Sequence, residues 1–151
     1  MKKLALIITF LGLFSFNAKS QSTPSYKVIT VIESIVPGGL GRSRLIDGQT
    51  EINIEDFTTE RTDGKKSSQG DVSRSDAKVD RFEESKLLNF YSLTGINFQN
   101  VASNDALITS KLNELTAEGW ELAFVTSGVE SDAGVKDGKG LFITRFIFQK
   151  L

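Results

Sequence analysis

The chain has no cysteine, and several chemistries go with it. A disulfide framework, a thiol nucleophile and a thiolate metal site are all excluded. So is a bacterial lipid anchor, which is attached through a cysteine thiol. Histidine is missing as well. The side chain best suited to proton transfer near neutral pH is therefore absent. A Ser-His-Asp triad cannot be assembled, and zinc sites that rely on imidazole have no ligand. An enzyme built on this sequence has only carboxylates, Lys, Arg, Tyr or Ser to work with. These absences argue for a non-enzymatic protein, with no catalytic residue, metal or cofactor expected.

What is present begins with an export signal. Lys2 and Lys3 give a basic start, Leu4 to Phe16 is an uncharged apolar run, and Ala18-Lys19-Ser20 supplies the small residues that a signal peptidase reads. The run falls short of the roughly 20 residues needed to span a bilayer. The sequence thus predicts an exported protein, periplasmic or secreted, that starts at Gln21 and has no membrane span after signal removal. Of 151 residues, 131 would remain, enough for one compact domain. The leader holds Lys2, Lys3 and Lys19 of the 18 basic residues, leaving 15 against 19 acids and a net charge of −4. A mildly acidic chain has no global attraction for nucleic acid, and none is expected as a partner.

Tyr26 to Val36 is rich in β-branched residues and predicts a largely buried strand, ended by Pro37-Gly38-Gly39. Asp47-Gly48 reads as a turn. Glu51 to Phe57 alternates apolar and acidic residues and predicts a half-buried strand near an edge. Residues 58–80 mix acids and bases around few apolar side chains and predict a mobile loop, either a partner-docking loop that orders on binding or, the simpler reading, a solvated connector. Phe82 to Val101 is dense in apolar residues, and both helical and alternating spacings fit it. Ser103 or Asn104 reads as a cap for a helix over 105–118, with Ile108, Leu112 and Leu115 on one face and Gly119 just past its end. Trp120 to Gly128, with Trp120, Leu122 and Phe124 on one face, and Gly140 to Gln149 predict an antiparallel hairpin. Trp120 is expected to pack between helix and sheet. The predicted fold is α+β: a small antiparallel sheet of three to four strands, one main helix on one face, and a long polar loop insertion.

Leu112-Asn113-Glu114-Leu115, followed by Glu118-Gly119-Trp120-Glu121-Leu122 and Val125, resembles a small bacterial family, the domain of unknown function numbered 4177. In that family a Tyr-Lys-Val-Val strand precedes a helix ending in Glu-Gly-Trp-Glu-Leu, and two strands follow. Tyr26-Lys27-Val28-Ile29 matches the opening strand. The resemblance implies that Gly38 to about Asn100 is an insertion between strand and helix. The chain also looks like exported proteins of Bacteroidetes-type bacteria, whose leaders end near Ala-x-Ser-Gln. Neither resemblance implies an activity or a site.

Pro37 to Arg44 is the most suggestive segment for chemistry. Gly38, Gly39 and Gly41 free backbone N–H groups to approach an anion, and Arg42 and Arg44 are placed to clamp a carboxylate or phosphate. The spacing is not that of a phosphate loop, and a turn with solvated arginines is the simpler reading. Glu130, Asp132 and Asp137 lie in the hairpin tip without the order of a calcium loop. Glu83-Glu84 and Glu55-Asp56 are sequence neighbours, poorly placed for paired acid–base work. Arg145 reads as solvated or paired with an acid. Three functions follow in order. The first is an exported module binding a protein or cell-envelope component. The second is an anionic-ligand binder using the loop at 38–44. The third is a carboxylate hydrolase.

Overall fold

The computed structural model describes residues 23–36, 43–48, 50–130 and 140–151. Strands β1 (Ser25–Ser34), β2 (Arg44–Gly48) and β3 (Phe82–Lys86) are followed by a two-rung ribbon, β4 (Tyr91–Ser92) and β5 (Gly95–Ile96). Helix α1 (Phe98–Ala117) then leads into β6 (Glu121–Val129) and β7 (Leu141–Lys150). The main sheet has five strands in the order β3-β2-β1-β7-β6, every neighbour antiparallel. It is larger than the three to four strands that the sequence predicts. The hairpin of β6 and β7 forms as expected, and β7 also pairs with β1 along its whole length, from Ser25–Lys150 to Ser34–Leu141.

The core lies on one face of this sheet. Ile29 and Val31 of β1, Leu45 of β2 and Phe148 of β7 pack with Leu87 and with Leu115 of the helix. Ile108, Leu112, Trp120 and Phe146 close around them. Trp120 is half-buried there, and the Lys150 ammonium lies 5.7 Å from its ring centroid. Gly119 takes φ +88° and ends the helix. Its N–H donates to Thr116 O, and the Trp120 N–H donates to Leu115 O, each at 3.0 Å, so two end carbonyls are satisfied.

Four expectations need correction. The helix starts at Phe98, seven residues before the position predicted, and its cap is Asn97, whose side chain accepts from Asn100 N. Asn104 is a buried mid-helix residue and caps nothing. Asp47-Gly48 ends β2 and makes no turn, because Asp47 is held inside by lysines from β1 and the helix. Residues 51–57 form no strand: Asn53 accepts from Glu55 N and starts a 3-10 turn over Ile54–Phe57, with Ile52 and Ile54 exposed. Finally, Leu122 and Phe124 do not share a face. A bulge at Ala123 places Leu122 opposite Phe148 but Phe124 opposite Ile147, and one extra residue moves a side chain across the sheet.

Residues 58–80 are almost wholly exposed and shaped by local turns. In one of these, Asp63 Oδ1 accepts from Lys65 N and Lys66 N, both at 2.9 Å. The undecided stretch 82–101 resolves into β3, an extended bridge Leu87–Phe90, the β4–β5 ribbon and the first turn of the helix.

Candidate functional site

Four of the five proposed anion-binding residues, Gly38, Gly39, Gly41 and Arg42, lie outside the described residues. Arg44 opens β2 and pairs with Glu84 of β3, Nε to Oε1 at 3.2 Å, on the sheet face away from the helix. Both stems of the loop are pinned by buried polar groups. Ser43 Oγ accepts from Ser34 N at 2.9 Å and donates to Asn89 Oδ1 at 2.8 Å. Asn89 Nδ2 donates to Val36 O at 3.0 Å, and Val36 N donates to Ser34 Oγ at 3.1 Å. Residues 34–36 and 43 are thus tied to one asparagine side chain, which fixes where the loop leaves and re-enters the sheet.

This network continues into the helix. Asn104 is fully buried, and its amide acts as a surrogate backbone: Oδ1 accepts from Leu88 N at 2.8 Å, and Nδ2 donates to Leu88 O at 2.8 Å. The same Nδ2 also donates to Glu33 Oε1 at 3.0 Å. Asn100 Nδ2 donates to Asn89 O at 2.8 Å, and Phe90 N donates to Ser34 O at 3.0 Å. The bridge Leu87–Phe90 is held by these bonds where no ladder continues. Burial raises the Glu33 carboxyl above its ordinary pKa; the Asn104 bond works against that rise, and Asp105 adds to it. The sequence reading missed Asn89, Asn97, Asn100 and Asn104. The signal available was the three-and-four spacing of Asn97, Asn100 and Asn104, which share the inward stripe of the helix.

A second polar cluster lies between helix and sheet. Asp47 is buried, and its Oδ2 faces Lys27 Nζ at 3.1 Å and Lys111 Nζ at 2.9 Å. Lys111 also reaches Glu114 Oε1 at 2.7 Å. Burial of the Lys111 ammonium lowers its pKa, but bonds and charges from Glu114 and Asp47 outweigh that and hold it above the ordinary lysine value. Asp47 Oδ1 has no partner among the described residues, and both lysines meet this carboxylate through Oδ2. All three side chains are engaged with one another, which makes the cluster a tie between layers.

The remaining candidates do not converge. Glu83 and Glu84 are exposed strand neighbours, and Glu55 and Asp56 stand exposed in the 3-10 turn. Glu130 follows the end of β6 and lines an open depression with exposed Arg145, while Asp132 and Asp137 lie outside the described residues. Among the described residues no three carboxylates come together as a metal site would need. Among the described residues, three depressions are open ones of about 280 to 380 Å³. One of these is lined by Glu51, Asp56, Asp76 and Asp80, all exposed to water. No described helix is long and apolar enough to cross a membrane.

What stands out is the sheet face opposite the helix. Tyr26, Val28, Thr30 and Ile32 of β1, Ile46 of β2, Ile143 and Ile147 of β7 and Phe124 of β6 share it through the strand register. Tyr26 is 64 % exposed, Val28 45 % and Phe124 61 %. A scan against protein-family models and searches of curated proteins and of solved structures gave no match.

Proposed function

We infer that this is an exported, non-enzymatic binding module whose partner is a protein of the cell envelope, engaged through the sheet face opposite the helix. The observation that carries the reading is the half-exposed apolar row Tyr26, Val28 and Phe124 on that face. Exposed apolar side chains set among polar ones, here Thr30 and the exposed Arg145 on the same face, mark interaction sites in soluble proteins. Among the described residues the depressions are open, and the carboxylates that line them are solvated. The leader supplies the compartment, and the resemblance to the family numbered 4177 belongs to the same proposal. The test is capture of binding partners from envelope extract by the purified protein. Val28→Glu and Phe124→Glu should each cut recovery of a specific protein at least tenfold, as loss of one anchor of about 1.5 kcal/mol does, with circular dichroism unchanged. Equal recovery by wild type and both variants would remove this face from the function.

A second reading keeps the loop at 38–44 as an anion site. It is favoured by the pinned stems at Ser34, Val36 and Ser43. Among the described residues Arg44 makes one ion pair, part-exposed, worth little and easily exchanged for a ligand carboxylate or phosphate. Inorganic phosphate should then raise the melting temperature in low salt only, and the Arg42→Ala, Arg44→Ala double variant should abolish the rise.

A further inference from the structure

The main sheet has two outer edges, and they are built differently. β3 is five residues long, Phe-Glu-Glu-Ser-Lys, and three of them are charged. Such a strand discourages pairing with another chain. β6 is nine residues long, Glu-Leu-Ala-Phe-Val-Thr-Ser-Gly-Val, with one charge at its first position and neither lysine nor proline. All nine residues are exposed, and among the described residues only β7 pairs with it. Nothing in its sequence discourages a further strand.

The direction of its free backbone groups follows from one bond. Glu130 N donates to Leu141 O at 2.9 Å, so that pair is hydrogen-bonded across the hairpin. Alternation then turns the backbone groups of Gly128, Thr126 and Phe124 toward β7 and those of Val125, Ser127 and Val129 outward. The outward row carries its side chains on the helix side of the sheet, opposite Phe146, Thr144 and Phe142. The helix does not cover them: Val125 is 42 % exposed and Val129 62 %.

We propose that β6 pairs antiparallel with β6 of a second copy, about a twofold axis at Ser127. This register is the one that matches the row to itself. Val125 meets Val129 of the other copy, Val129 meets its Val125, and Ser127 faces its own symmetry mate. An axis at Val125 sets Glu121 against Val129, and one at Thr126 sets each Val125 against Ser127. Charge agrees: the Glu121 carboxylates end about 40 Å apart and the Glu130 pair about 20 Å apart, beyond the roughly 8 Å screening length at physiological salt. The contact is isologous and closes on itself, so it stops at two. Two five-stranded sheets become one continuous sheet of ten. The proposal stands on the edge strand alone and does not depend on what binds the sheet face.

The absence of cysteine gives a clean test. Hydrogen-bonded residues of an antiparallel pair have Cα atoms about 5.5 Å apart, within disulfide reach. Under mild oxidation at tens of micromolar, Ser127→Cys should form a reducible dimer at least tenfold faster than Ala106→Cys, an exposed helix position. Wild type should sediment as a dimer, and Val125→Lys as a monomer with unchanged circular dichroism. A wild type that is monomeric in sedimentation, or a Ser127→Cys that oxidises no faster than Ala106→Cys, would overturn the proposal. A monomer that instead takes up an extended peptide of another protein along β6 would overturn it equally.

Discussion

Asn104 shows how much one side chain can organise. It gives Leu88 both bonds of a strand neighbour and leaves its remaining N–H for Glu33. Asn104→Ala strands two backbone groups of Leu88 in a part-buried site and should cost about 2 kcal/mol in urea unfolding. Glu33 gives a pH signature of the opposite sense to most carboxylates. Its folded pKa is raised, so the native state holds this proton better than the unfolded chain does. Its contribution to stability is therefore present at low pH and lost as pH rises from 4.5 through the folded value. Glu33→Gln should remove that decline, measured as the melting temperature from pH 4 to 7. Lys111 has a raised pKa too. Its contribution is complete below the ordinary lysine value of 10.5 and fades as pH climbs through the higher folded one. Lys111→Met should erase that alkaline loss. Asp47→Asn leaves Lys27 without a carboxylate and Lys111 with Glu114 alone. Because both lysines reach some solvent, the cost should be about 2 kcal/mol. Replacing Lys27, Asp47 and Lys111 together by Met, Leu and Met should recover most of it.

Among the elements, legibility followed the range of the interactions. The helix end was plain because Gly119 and the Leu112/Leu115 spacing act locally. Gly119→Ala meets no crowding beyond the Lys150 side chain at 3.6 Å, so its cost of about 1–2 kcal/mol is backbone strain alone. β1, β6 and β7 were legible because their β-branched and aromatic content suits a pleated, packed surface. The helix start was not: Asn97 caps locally through Asn100 N, but Asn100 and Asn104 look like turn formers until their partners Asn89 and Glu33 are known. β2 hid for the same reason, since Asp47-Gly48 suits a turn and only Lys27 and Lys111 draw that carboxylate inside. The alternation of residues 51–57 misled because no strand takes it up as a neighbour, and the Asn53 side chain offers the local backbone a closer acceptor. The bulge at Ala123 has no mark in the sequence at all, and it alone decides on which side Phe124 stands.

At the scale of the whole molecule, the α+β class was readable, but two of the sheet's five strands, β2 and β3, were not. The candidate site was legible only in part: Arg44 was singled out, but the buried Ser43–Asn89 bond that anchors its loop joins residues with no local pattern to announce it. The pairing of Ser25 with Lys150, and so on along ten rungs, joins the first described strand to the last. That arrangement governs how the protein is made. No local piece can close this sheet, because β6 reaches β1 only through β7. Native structure must wait for the distant segment to arrive, and topologies dominated by such remote pairings fold in roughly milliseconds to seconds, where local ones take microseconds. On the proposed export route, a chain that folds late keeps its threadable state longer, which is the state that a translocation channel accepts.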